Sequence, residues 1–159
     1  MKSNSLILKI FSSALFLLTF LACDNTTLYN KFQPIDNKTW GKENAYYFVF
    51  DITDTTISYD ICLQIRNNNS YPYQNLWVIS TLQQSDKIVL TDTTECILAD
   101  DFGKWTGSGI TLFQNRIPIQ EKYHFPISGT YVINFRHGMR DHVLEGINDI
   151  GVVVKKSED

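Results

Sequence analysis

Three side chains of metal-binding type, His137, Asp141 and His142, fall close together in this 159-residue chain, with His124 further upstream. The spacing His137-x4-His142 is neither the helical i, i+4 pair of a zinc site nor a zinc-finger spacing, so these residues read as loop or capping positions and no metal is assigned. Asp51, Asp54, Asp92, Asp100 and Asp101 sit near expected strand ends. They are oxygen donors of the kind calcium takes, but no EF-hand or repeat spacing joins them, and they read as solvated turn carboxylates. A glycosidase needs two carboxyl groups facing each other at about 5–10 Å, and nothing along the chain singles out such a pair. There is no Gly-x-Ser-x-Gly elbow, phosphate loop or dinucleotide fingerprint. The expectation is a protein without enzymatic activity or cofactor.

The remaining reactive residues are Cys23, Cys62 and Cys96, and the first has a context. Lys2 and Lys9 precede an apolar run from Ile10 to Ala22, interrupted only by Ser12, Ser13 and Thr19. That is the shape of a secretory signal peptide, and the run is shorter than the roughly 20 residues of a membrane span. Phe20-Leu21-Ala22-Cys23 resembles a bacterial lipobox, with Phe20 where Leu is usual. The resemblance implies removal of residues 1–22 and acylation of Cys23, which would hold the chain on a membrane. In an exported protein Cys62 and Cys96 have the option of pairing, and closing the loop between them would contribute roughly 3–4 kcal/mol if the strands bring them together.

Composition points to a β-rich exported domain: charged residues make up 19% of the chain and aromatic residues 13%. Without Lys2 and Lys9, 12 basic residues face 17 acidic ones, a formal −5 against −3 for the whole chain. That balance excludes a nucleic-acid partner, which requires basic patches. Residues 23–42 are polar, contain Pro34 and lack periodicity, and they read as a tether. The domain then occupies 43–159. Tyr46 to Asp51 predicts a strand apolar on both faces, and Ile57 to Arg66 alternates as a half-buried strand. Further strands are expected at 76–84, 87–90, 94–98, 109–114, 120–125, 131–135 and 147–155, with one helical turn at 139–145. Eight or nine short strands separated by Asn-, Gly- and Asp-rich turns predict a single all-β domain, an antiparallel sandwich or jelly roll.

Aromatic residues mark the candidate binding surface. Tyr71, Tyr73 and Asn75 belong to the Asn-rich turn, and Trp105 sits in Gly103-Lys104-Trp105-Thr106-Gly107. Exposed rings beside amides and carboxylates suit either a sugar or a protein partner. Trp77, within Leu76-Trp77-Val78-Ile79, reads as core. Arg66 and Arg140, each beside a turn, are placed to pair with carboxylates and hold the ends of the sandwich.

Read together, Tyr59-Asp60-Ile61, the run from Arg66 through Tyr71-Pro72-Tyr73-Gln74-Asn75 to Trp77, Leu98-Ala99-Asp100, Gly103 to Gly107, Gly129-Thr130-Tyr131, Met139-Arg140 and Gly146 to Gly151 resemble the gliding-motility lipoprotein H family of the Bacteroidetes. The resemblance covers about 46–154. It implies a lipid-anchored accessory of the envelope machinery for gliding and type IX secretion, on the periplasmic face of the outer membrane, acting by binding other envelope proteins. It carries no catalytic residues. A lipid-anchored glycan-binding module is the alternative.

Overall fold

The computed structural model describes residues 26–158. The expected signal segment and Cys23 lie outside the described residues. Ten strands form two four-stranded antiparallel sheets and one small ribbon. One sheet orders β1 (Thr27–Pro34), β10 (Ile147–Lys156), β4 (Tyr59–Asn68) and β7 (Leu112–Tyr123). The other orders β3 (Tyr46–Ile52), β8 (Gly129–His137), β5 (Asn75–Gln84) and β6 (Lys87–Ile97), and β2 (Thr39–Gly41) pairs with β9 (Val143–Glu145). The expected all-β antiparallel sandwich is the fold observed.

Period-two alternation builds the core. Tyr59, Ile61, Leu63 and Ile65 on β4 and Ile150, Val152 and Val154 on β10 face Phe48, Phe50 and Ile52 on β3, Tyr131, Ile133 and Phe135 on β8, and Leu76, Val78 and Leu82 on β5. Each is buried, which stabilises the fold by about 1.5–3 kcal/mol per large apolar side chain. Phe125 closes one end edge-on against Tyr131 at 4.7 Å, Tyr123 at 4.9 Å and Tyr59 at 5.5 Å.

Several expectations need correction. Residues 23–42 are not a tether throughout: β1 pairs with β10 from Thr27 to Pro34, and Trp40 on β2 is fully buried. As an edge strand, β1 keeps most of its residues wet and carries Lys31 and Pro34, so its sequence looks like a linker. The two strands expected over 87–98 are one, β6, and those over 109–125 largely merge as β7, whose Pro118 is tolerated because the strand is an edge. The helical turn expected over 139–145 is replaced by β9. Tyr47 and Val49 are more than half exposed, so β3 buries one face only. Trp77 points outward at 39% exposure, between the buried Leu76 and Val78, because strand parity overrides its hydrophobicity. Cys62 and Cys96 are both free. Cys96 faces the core from β6, whereas Cys62 lies between the core-facing Ile61 and Leu63 and so turns to the opposite face of the other sheet.

Register defines two ends. Thr27 lies opposite Lys155, and Lys156 opposite Tyr59, at the end where the described chain begins. Pro34 opposite Asp149 and Ile147 opposite Asn67 mark the far end, where the loops around residues 69–74, 98–111 and 138–142 gather.

Candidate functional site

The far end is assembled from loops whose sequences supply their own hydrogen bonds. Asn68 leads: its side-chain amide donates to Asn148 Oδ1 at 2.7 Å, its Oδ1 accepts from the Ser70 N–H at 2.7 Å, and its carbonyl accepts from the Tyr71 N–H at 3.2 Å. Gly146, at φ +81°, lets β10 start hard against this turn; a Cβ there would stand 2.2 Å from Tyr71 N. Tyr71 is therefore buried, and its hydroxyl donates to the Asn75 carbonyl at 2.7 Å. Burial pushes its phenol well above the usual tyrosine range, with Tyr73 and Asp141 adding to the effect.

The next loop zips onto this one. Leu98 and Ala99 donate their N–H groups to the Gln74 carbonyl at 2.8 and 3.0 Å. Asp100 closes a tight turn by accepting from the N–H groups of Phe102 at 3.0 Å and Lys104 at 2.9 Å. Trp105 donates from Nε1 to Asn69 Oδ1 at 2.9 Å, and its ring stacks on Phe113 with centroids 5.8 Å apart. On the other side, Gly138 donates to the Trp77 carbonyl at 2.7 Å, and the Tyr73 hydroxyl donates to the Asp141 carboxylate. That bond holds the Tyr73 proton and raises its pKa.

Tyr71, Tyr73, Asn75, Trp105 and Arg140 are thus brought to one end of the molecule, in different roles. Tyr71 is a buried brace, and Trp105 is half-buried with its ring and N–H engaged. Asn75 donates to Glu95 Oε1, whereas Arg140 is exposed. Tyr73 is the surface feature: it lines three clefts, with volumes of about 240, 500 and 250 Å³. The first holds Met139, Arg140 and Asp141 beside it. Arg66 makes the contacts of a sandwich clamp, its Nε donating to Gln114 Oε1 at 2.9 Å, its guanidinium 3.7 Å from the centroid of the Phe32 ring and 4.0 Å from Asp149. Arg140, expected in the same role, is exposed and joins none of the ion pairs among the described residues.

Sequence reasoning missed Glu95, Ile97, Asp101 and Val143 as cleft residues, and Phe102 and Ile110 as turn tips at the same end. An isolated Phe inside Asp100-Asp101-Phe102-Gly103, and an Ile directly after Gly107-Ser108-Gly109, are the signals that could have found the last two. Of the three residues weighed as metal ligands, His137 is buried edge-on against Trp40, centroids 5.5 Å apart, while Asp141 and His142 are exposed. Among the described residues no group of three His, Cys, Asp or Glu converges to hold a metal. Asp54 accepts from the Thr56 hydroxyl within a turn, whereas Asp51 accepts from Thr130 across the β3–β8 pair and Asp92, in the middle of β6 rather than at a strand end, accepts from the Thr93 N–H.

Two antiparallel four-stranded sheets packed face to face, with hydrogen-bonded loops gathered at one end, define a single-domain β-sandwich protein. The chain belongs to the GldH lipoprotein family, whose pattern it matches over residues 27–154. It is 31% identical over 159 residues to the gliding motility lipoprotein GldH homolog of Christiangramia forsetii, covering 93% of this chain and 97% of that one. It is 24% identical over 145 residues to the gliding motility lipoprotein GldH of Flavobacterium johnsoniae, covering 86% and 89%. Among solved structures, chicken MD-1 complexed with lipid IVa matches with a TM-score of 0.38 at 17% identity, covering 82% of this chain and 96% of that one, a likeness too slight to carry any inference.

Proposed function

We propose that this protein is a lipid-anchored component of the gliding-motility machinery that acts by holding other envelope proteins, with a role in type IX secretion and no catalytic step of its own. The observation that carries the reading is the match over residues 27–154, nearly the whole folded domain, to a family with curated members named for gliding motility. Acylated Cys23 would anchor the chain, and the outer membrane, periplasmic face, is the location that fits the family reading. The far end supports a binding role: its loops are fixed by side-chain hydrogen bonds, so a partner meets a preorganised surface and less ordering entropy opposes association.

Glycan binding is the second reading, and one geometric fact weighs against it. Tyr71 is buried and the half-buried Trp105 spends one ring face on Phe113, so Tyr71 is out of reach of a sugar ring and Trp105 offers only its other face. The test is replacement of the native copy in its host by Cys23→Ser and, separately, by Tyr73→Ala. The expected result is that Cys23→Ser releases the protein from the membrane fraction, and that each variant impairs surface movement or type IX export. Normal movement and export with both variants would contradict the proposal.

A further inference from the structure

Two clefts flank the Pro72–Tyr73 ridge at the far end. Glu95, Ile97 and Asp101 line the wider one, and Asp141, Val143 and Glu145 line the other. Among the described residues no Lys, Arg or His lines these two clefts, and Arg140 lines the adjoining third cleft with Tyr73 and Asp141. Glu95 and Asp141 each accept a hydrogen bond from a neutral donor, Asn75 and Tyr73 respectively. The ion pairs found among the described residues, Arg66–Asp149 and Lys155–Asp60, involve none of these four carboxylates. With four carboxylates against the single Arg140 among the residues lining the three clefts, this surface keeps a net negative charge for a partner.

The same clefts offer apolar surface. Ile97 is 55% exposed and Val143 54% exposed, and next to Asp101 the ring of Phe102 is 95% exposed. That ring is held out by a structured turn, in which Gly103 at φ +78° donates its N–H to the Asp100 carbonyl at 2.9 Å. Single exposed apolar residues are ordinary, but apolar side chains grouped within clefts and rimmed by one sign of charge mark interaction surfaces.

Resting on the protein-binding reading above, we propose that the far end docks a segment of another envelope protein that carries lysine or arginine together with apolar side chains. Charge complementarity fixes the chemistry: four carboxylates attract cationic side chains, while the Tyr73 ring, Ile97 and Val143 accept aliphatic ones. The same carboxylates oppose an anionic lipid surface. Position agrees, since the eight residues of β1 separate the far end from the start of the described chain by about 25 Å at strand rise, directing this surface away from a membrane held through Cys23.

The test is photocrosslinking in the native host with the full acylated chain, placing benzoylphenylalanine at position 102, 143, 47 or 88 in turn. Tyr47 lies on the outer face of the sheet that carries Glu95 and Ile97 but on its opposite edge strand, β3, and Ile88 lies at the opposite end of the molecule. The expected result is that probes at 102 and 143 label one protein, at a peptide with basic and apolar side chains close together. Glu95→Lys with Asp101→Lys, both at exposed positions, lowers that yield roughly tenfold. Labelling of lipid, of glycan or of a peptide without basic residues overturns the proposal, as does a yield indifferent to charge reversal. Protein labelled only from 47 or 88 sinks the proposal and leaves the protein-binding reading standing. No protein labelled from any of the four sites sinks both.

Discussion

Trp40→Ala tests whether the polar N-terminal stretch belongs to the folded domain. Trp40 is fully buried, its ring packs edge-on against Tyr46 at 5.6 Å and His137 at 5.5 Å, and its Nε1 donates to the Asn44 carbonyl at 3.0 Å. Truncating a buried Trp to Ala costs about 3–5 kcal/mol, because the transfer free energy of the ring is lost and a cavity remains. The Asn44 carbonyl also loses its donor, a contribution of about 1 kcal/mol that water partly restores at this half-exposed site. The expectation is a loss of about 4 kcal/mol, or roughly 12–15 °C in Tm for a domain of this size. The assay is urea unfolding of the chain from residue 23, with Cys23→Ser in both proteins, followed by far-UV circular dichroism. A midpoint shift worth less than about 1 kcal/mol at unchanged slope would refute the reasoning and return the stretch around Trp40 to the status of linker.

Three further outcomes follow from the same packing. Cys62 and Cys96 are free and buried, and burial raises both thiols, Cys96 to about 12, so a thiol reagent should label neither in the native protein carrying Cys23→Ser and both after unfolding; no labelling in denaturant without reductant would mean that they pair. His137 is buried with both ring nitrogens unpartnered, and its pKa is lowered by burial, an effect strengthened by Lys42 and offset in part by Asp141 and by the Trp40 backbone, which approaches without completing a hydrogen bond. With the folded value below the unfolded one of about 6.5, the unfolded chain takes up the proton first, so stability is fully present above about pH 6.5 and falls as pH drops towards the folded value. In His137→Leu that part of the slope should disappear from a pH series of urea midpoints, and an unchanged slope would count against the assignment. Gly146→Ala forces a Cβ to within 2.2 Å of Tyr71 N at a positive φ, and should cost about 2–4 kcal/mol in denaturant unfolding, with increased proteolysis at the 69–74 loop; wild-type behaviour would mean that the close approach is absent in solution.

What could be read from the sequence followed from periodicity. β4 and β8 were visible because they are central strands whose inward residues, such as Ile61, Leu63, Ile65 and Ile133, alternate with others along the chain. Two edge segments hid for the opposite reason: β1 exposes Asn30, Lys31 and Pro34, and the middle of β6 is Thr91-Asp92-Thr93, so nothing local distinguishes these stretches from loop, whereas the aromatic edge strand β3 was legible. β9 is three residues long and exists only because β2 lies beside it. At the site, Tyr71, Tyr73 and Trp105 were recognisable by type, but their division into brace, ridge and half-buried support depends on Gly146, Asn69 and Phe113, which meet them only in three dimensions. The carboxylates Glu95 and Asp141, each held by a neutral donor, could not be linked at all, since they are 46 residues apart and share only the Tyr73 ridge.

An anchored holder of envelope proteins must be found in complex with them in the cell. The most direct measurement is mild in-cell crosslinking of a tagged, acylated copy in its native host, with quantitative mass spectrometry of what co-purifies, comparing the wild type with Tyr73→Ala. The expected result is stoichiometric recovery of gliding or type IX secretion components with the wild type, and a several-fold loss with a variant that still folds and still reaches the membrane. Recovery of glycan without any stoichiometric protein, or of the same proteins in equal amounts from both copies, would contradict it.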